Sequence, residues 1–394
     1  MTVMYNPFDP DYVKNPYPQL KALRDEEPVY RSPIGFWMLT RYDDINTALR
    51  DTTRYSVDHR NANVMVVEDQ DPQYIPVILF RDPPDHTRLR KLLAKAFTPP
   101  FVERFRPRMV ALLDELMDKA ADRGEFDFVE ELAVPLPFLV ISEMLGMPPQ
   151  DRETVLGWTS DIVNVTEPVQ TPEVTQAIAD SRNAMRDYLE DIVAHKKRQP
   201  GDDLITGMIA AEADGAVLDP AELIDHIILL HVSAHEPTAN HLSHGLLALL
   251  RHPDELAALR ADPALDDPAE EELLRYEAPL QLTGRFALED LEIDGHKVDK
   301  GTPVVMSLAA ANHDPAHWGP DADALVLRRR RASEHLSFAR GIHTCFGAAL
   351  ARMQGQETFG RFVRRFPDVE LVGEPEWNGR LNGRGPSRLP VSVG

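Results

Sequence analysis

The chain is poor in cysteine, in positive charge and in long apolar runs. Among its 394 residues there is a single cysteine, Cys345. One cysteine excludes an intrachain disulfide and any zinc or iron–sulfur site built from several thiolates. Lys and Arg number 42 against 64 Asp and Glu, a formal net charge of −22. Nonspecific binding of nucleic acid or of an anionic membrane surface needs basic charge, so no nucleic-acid or membrane partner is expected. Apolar stretches such as Ile227–Leu230 and Val304–Met306 fall far short of the roughly 18 residues a membrane span requires. The first residues, Met1-Thr2-Val3-Met4-Tyr5-Asn6-Pro7, lack the charged and apolar regions of a secretory signal. The expected location is therefore cytoplasmic, where a lone thiol stays free to act as thiol or thiolate.

What is present reads as an ordinary globular protein: 43% apolar and 27% charged residues, with 33 prolines that cut the chain into many segments. The length suffices for a sizeable core without covalent staples. Apolar residues recur at three- and four-residue spacing over 86–97, 101–122, 135–146, 150–164 and 173–199, which predicts helices. Phe36–Thr40 reads as a strand, 284–306 as strands turning at Gly295 and Gly301, 312–340 as loop and about 346–366 as a helix. Residues 56–80 read as a long loop. No repeat appears and no linker divides the chain. The expectation is a mainly α protein with small β-sheets, one domain over residues 1–394.

Asp219-Pro220-Ala221-Glu222 is a strong helix start: a capping Asp, Pro at the first position and Glu for a capping box. The pattern runs to about Arg251, some 32 residues or roughly 48 Å. Its centre holds Ser233-Ala234-His235-Glu236-Pro237-Thr238. A proline there removes a backbone hydrogen bond and crowds the preceding turn, at about 3 kcal/mol. The spacing predicts a local break, which is either a structural kink with Glu236 reaching solvent or a site. Glu272 and Arg275 stand three apart on one helix face. Taken alone they read as a solvated surface pair.

The segment Phe338-Ala339-Arg340-Gly341-Ile342-His343-Thr344-Cys345-Phe346-Gly347 sets a thiol between glycines ahead of an apolar helix. A helix start stabilises a thiolate through its dipole and its free N–H groups. The thiolate suits a metal ligand or a nucleophile. An inert buried cysteine and a Cys/His hydrolase are the other readings, although His343 is too close in sequence to serve well as base.

Taken in order, these segments resemble the bacterial soluble cytochromes P450 of the ferredoxin-dependent kind. The family's F-x-x-G-x-H-x-C-x-G is met by Phe338, Gly341, His343, Cys345 and Gly347, and its E-x-x-R by Glu272 and Arg275. The centre of the long helix resembles the oxygen-activation motif. Asp82–Arg90, Ala311–Pro315 and Leu389–Val391 fit as well. The resemblance implies a single multi-helical domain around a buried haem b, with Cys345 as axial thiolate and Phe338 and Gly347 in its loop. It implies His86, Arg90, Arg285 and His343 at the propionates, and Glu272–Arg275 as a structural pair. Glu236 takes the place of the proton-delivering acid. The family's Thr after that acid is Pro237 here, which leaves Thr238, a held water or a substrate hydroxyl for the relay. Ser233-Ala234 stands for the usual Ala-Gly, and Ala339 for a frequent Gly.

The implied activity is hydroxylation of a lipophilic small molecule by O2 and two electrons from a ferredoxin and its reductase. The alternatives are an atypical oxidation (oxidative coupling, desaturation or peroxide-driven) and a haem-binding sensor or carrier without turnover. The implied pocket walls include Val64, Val66, Leu79, Leu229, Leu230, Ser233, Leu280 and Leu282. Residues 328–365 hold nine Arg, no Lys and two acids, a basic patch fit to steer an acidic ferredoxin.

Overall fold

A computed structural model gives the fold and describes residues 5–63, 77–167 and 170–394. The helices Asp85–Ala96, Pro99–Ala121, Pro135–Leu145, Arg152–Ile162 and Pro172–Arg198 stand where the apolar spacing places them. The helix after the cysteine spans Ala348–Arg365, two residues later than expected. Val64 and Val66 lie outside the described residues.

The long helix is Pro220–Arg251. The Asp219 carboxylate accepts from the Ala221 and Glu222 amides, and the Glu222 side chain accepts from the Asp219 amide. Its flanks pack against Pro135–Leu145, Pro172–Arg198, Asp266–Tyr276 and Ala348–Arg365. The expected break does not occur: the helix is continuous through Pro237. Burial of residues on both sides, among them Ile227, Ile228, Leu242 and Leu246, outweighs the roughly 3 kcal/mol that an interior proline costs.

The β portion is small. Its largest sheet has the spatial order Val29–Arg31, Trp37–Leu39, Pro303–Ser307, Leu282–Ala287, Tyr55–Ser56. The pairing of Trp37–Leu39 with Pro303–Ser307 is parallel, and the other three pairings are antiparallel. A hairpin of Leu291–Ile293 and His296–Val298 turns at Gly295, as expected. The segment expected to be loop, 312–340, includes a short helix at Pro315–Trp318, started by the Asp314 side chain accepting from Ala316.

One large apolar core joins the helices, with Leu113, Leu136, Ile141, Leu189, Ile227, Leu246, Met353 and Phe362 among its members. A second lies against the sheet around Trp37, Ile45, Val304 and Leu336. Among the described residues no helix is long and apolar enough to cross a membrane.

Candidate active site

The cysteine loop is held by its own backbone. The Cys345 amide donates to the Phe338 carbonyl at 2.9 Å, and Thr344 Oγ1 donates to the Gly341 carbonyl at 2.8 Å. Gly341 has φ +76°, and a Cβ there would lie 2.5 Å from the Leu49 carbonyl oxygen. Only glycine fits that close approach. Ala339 is also left-handed, with φ +54°. A residue with a Cβ bears strain of about 1–2 kcal/mol in that region.

The Cys345 side chain is accessible, yet desolvation of the sulfur pushes the thiol up. Accessible surface inside the protein marks a cleft. The Gly347 N–H, Arg90 and Arg352 oppose the rise. A bound metal cation would offset the rest, since coordination deprotonates a thiol outright. The Arg352 guanidinium stands 4.6 Å from the Phe338 ring centre.

Four basic side chains gather near this loop, and Asp82, the acid that acts on His86 and Arg285, forms an ion pair with neither. The rings of His86 and His343 stand 4.3 Å apart, and Nε2 of each is buried without a hydrogen-bond partner. Arg285 keeps 7% of its surface and, among the described residues, donates only to the Gly284 carbonyl and the Thr283 hydroxyl. Burial lowers its guanidinium to about 10. Arg90 donates to the Thr344 carbonyl at 2.9 Å. Desolvation, then Arg285, His86 and Arg90, depress His343 to about 3. Among the described residues none of the four makes an ion pair with a carboxylate. Buried cations without anions are costly. Such a set fits a ligand that brings its own pair of carboxylates to an interior cleft, as haem does with its propionates.

Glu272 and Arg275 are not a surface pair. Both side chains are fully buried and joined twice, at 2.7 and 2.8 Å. Arg275 also donates to the carbonyls of Asn312, Ala322 and Ala324. The Asn312 side chain then bonds Leu336 and Ser337. The pair thus anchors the strand of chain that leads into the cysteine loop.

Along the long helix, Leu229, Leu230, Ser233, Ala234 and Pro237 form one partly accessible stripe inside an otherwise buried element. Leu280 and Leu282 are partly accessible as well. Leu79 is 42% exposed, on a turn tied to the long helix by the Ile78 amide donating to His226 Nε2. Glu236 does not reach out freely to solvent. It forms an ion pair with Arg380, and burial nevertheless raises its carboxyl. Thr238 Oγ1 donates back to the Ala234 carbonyl at 2.9 Å.

Sequence reasoning missed Arg380 and Glu167. The Glu167 carboxylate accepts from the Leu381, Asn382 and Gly383 amides, tying the end of the Arg152–Thr166 region to the turn that carries Arg380. A groove of about 550 Å³ lined by Val134, Phe138, Leu139 and Leu156 shares none of these residues.

The cytochrome P450 family model matches residues 27–263 and 269–376. The chain is 39% identical to cytochrome P450 monooxygenase PikC of Streptomyces venezuelae, over 97% of this chain and 92% of that protein. It is 37% identical to the vitamin D(3) 25-hydroxylase of Pseudonocardia autotrophica, over 100% and 97%. The solved cytochrome P450 PksS of the Bacillus subtilis bacillaene polyketide synthase superposes with a TM-score of 0.91 at 34% identity, over 99% and 100%.

The chain belongs to the cytochrome P450 family. It is an oxidoreductase, a monooxygenase of the kind that uses haem iron. The basic patch of this P450 is smaller than the sequence count implies. Arg328 pairs with Asp262, Arg329 with Glu272 and Asp321, and Arg331 with Glu334. Arg352 pairs with Glu271, Arg361 with Glu357, Arg364 with Asp266 and Arg365 with Asp118. Acids distant in sequence neutralise most of the run. Among the described residues Arg330 and Arg340 are the members of the run that make no ion pair.

Proposed function

We propose that this P450 hydroxylates a lipophilic small molecule, acting in the cytoplasm as one unit of 394 residues and taking two electrons from a ferredoxin and its reductase. Haem b is the proposed cofactor. The observation that carries the reading is the gathering of His86, Arg90, Arg285 and His343, none of them ion-paired with a carboxylate among the described residues, near an accessible interior sulfur.

Bound haem supplies the activation of dioxygen, which an electron-rich axial thiolate favours. Cys345 would hold the haem iron through its thiolate. The Gly347 N–H stabilises charge on its sulfur and limits what the sulfur donates. Phe338 keeps water from it. Arg90 and Arg285 hold the propionates by charge, His86 and His343 by N–H donation. Glu236 is the proposed proton-delivering acid: burial favours its protonated form, and Arg380 fixes its position. Thr238 gives its hydrogen to Ala234, so it offers a passing proton only its lone pairs. Leu229, Leu230, Ser233, Leu280, Leu282 and Leu79 form the proposed substrate wall, apolar for the most part as small-molecule sites are.

The names of two relatives support a proposal for the substrate class. A vitamin D(3) hydroxylase and a polyketide-synthase P450 share the fold over nearly the whole chain. A secosteroid or polyketide-like ligand therefore leads the candidates. Lipophilic compounds are to be screened by the shift they cause in the haem absorption. The expected result is that one binder gains a single oxygen atom only when O2, ferredoxin and reductant are all present. Binding without electron-dependent consumption would contradict the proposal. Pro237 is the observation behind a second reading, an atypical oxidation, for which oxygen insertion is absent from the product.

A further inference from the structure

Three hydroxyl side chains lie in the central part of the long helix: Ser233, Thr238 and Ser243. Two of them are spent on the helix itself. Thr238 donates to the Ala234 carbonyl at 2.9 Å and Ser243 to the Ala239 carbonyl at 2.8 Å. Ser233 is different. It makes no side-chain hydrogen bond among the described residues, and it is exposed in the middle of an element whose neighbours His231, Val232 and His235 are buried. Its accessible companions at one-turn spacing are Leu229 and Pro237, so it faces the interior cleft.

Pro237 bears on the same point. It stands four residues after Ser233 and carries no N–H, so it cannot make the ordinary helical bond to the Ser233 carbonyl. Ser233 therefore combines an unbonded hydroxyl with a carbonyl that lacks its usual donor. Glu236 follows three residues later, at neighbouring spacing on the helix surface, and Arg380 holds it in place.

Resting on the proposed haem monooxygenase reading, we propose that Ser233 carries the proton relay that the residue at position 237 cannot. Its Oγ and its carbonyl hold one water. That water takes a proton from the Glu236 carboxyl and passes one to Ser233 Oγ. Ser233 gives its own hydrogen onward toward the cleft, so the hydroxyl is regenerated with each passage and Glu236 is reprotonated from solvent. Pro237 thus shifts the hydroxyl of the relay by one helical turn instead of abolishing it.

The test compares Ser233→Ala, Ser233→Thr and the double variant Ser233→Ala/Pro237→Thr, all loaded with haem and supplied with a substrate found by the absorption screen. Product formed per reduced nicotinamide is expected to fall at least about tenfold in Ser233→Ala, with peroxide released instead; a removed proton-transfer group typically costs about 10²–10⁴-fold in rate. Ser233→Thr is expected to keep most of the coupling, and the double variant to regain it. Ser233 also belongs to the proposed substrate wall, so the coupling is read at saturating substrate, where the loss in Ser233→Ala is expected to persist; that persistence separates a relay from a substrate contact. A crystal structure of the loaded wild type is expected to show a water bonded to Ser233 Oγ that Ser233→Ala lacks. Unchanged coupling in Ser233→Ala, or a fall that disappears at saturating substrate, overturns the relay. Absence of a thiolate-type spectrum in the wild-type reduced carbon monoxide complex would overturn the underlying reading instead.

Discussion

Two Glu–Arg pairs flank the site, and they differ in nearly every respect. Glu272 and Arg275 stand three residues apart on one helix, both fully buried, with Arg275 also satisfied by three carbonyls. Glu236 and Arg380 come from the long helix and from a turn near the chain's end, and their side chains remain 17% and 21% accessible. In the first pair every charge has fixed partners. In the second, burial favours protonation and outweighs Arg380, which favours the anion, so the carboxyl is raised. A frame wants the first kind of pair and proton delivery wants the second.

Arg275→Ala is the largest way to break the comparison. It takes from buried Glu272 its doubly bonded partner, leaving Arg329 and the Val326 N–H, and a loss of about 3–5 kcal/mol is expected. Urea denaturation reads it, and soluble yield falls with it. A loss under about 1 kcal/mol would make the two pairs equivalent.

Acid is the next largest lever, and it acts on the helix that carries Glu236. Burial lowers His235 to about 4 from an ordinary 6.5. Below pH 6.5 the unfolded chain takes up a proton that the folded His235 refuses. Stability therefore falls as pH drops from about 6.5 toward 4, by up to about 3 kcal/mol from this residue. His235→Gln should flatten that part of the stability–pH curve; an unchanged slope would show that His235 takes its proton in the folded state.

A smaller change sharpens the frame. Ala339 lies in the cysteine loop at φ +54°, and Ala339→Gly is expected to stabilise the protein by about 1 kcal/mol, net of the entropy that glycine costs. The gain is measured as a higher denaturation midpoint with the slope unchanged.

Arg380→Gln is the smallest in stability, about 1 kcal/mol or less, because Glu236 can take a proton once its partner is gone. Its effect is on chemistry. The carboxyl rises further, and the pH dependence of product formed per reduced nicotinamide is expected to move upward. An unmoved profile would show that Arg380 does not control Glu236.

How much of this could be read from the sequence differs between the two pairs. The three-residue spacing of Glu272 and Arg275 gave the shared helix face, but not the burial, which depends on the carbonyls of Asn312, Ala322 and Ala324 arriving from a later segment. The glycine at 341 was legible because a close approach to backbone demands it. The ends of the long helix followed from Asp219, Pro220 and Glu222. Its middle was misread, because a proline weighed alone favours a break while the burial around it does not. Arg380 had no local signal at all: it sits in an Asn-Gly-Arg-Leu-Asn-Gly turn, and its partner lies far away in sequence. The basic patch was overestimated for the same reason, since Asp118, Asp262, Asp266 and Asp321 come to it from elsewhere in the chain.

The most direct measurement is the absorption spectrum of the reduced, carbon monoxide-treated protein after haem loading, for wild type and Cys345→Ala. Wild type is expected to give the band of a thiolate-bound haem, and Cys345→Ala to lose it. A colourless wild type, or a Cys345→Ala spectrum that matches it, would contradict the account.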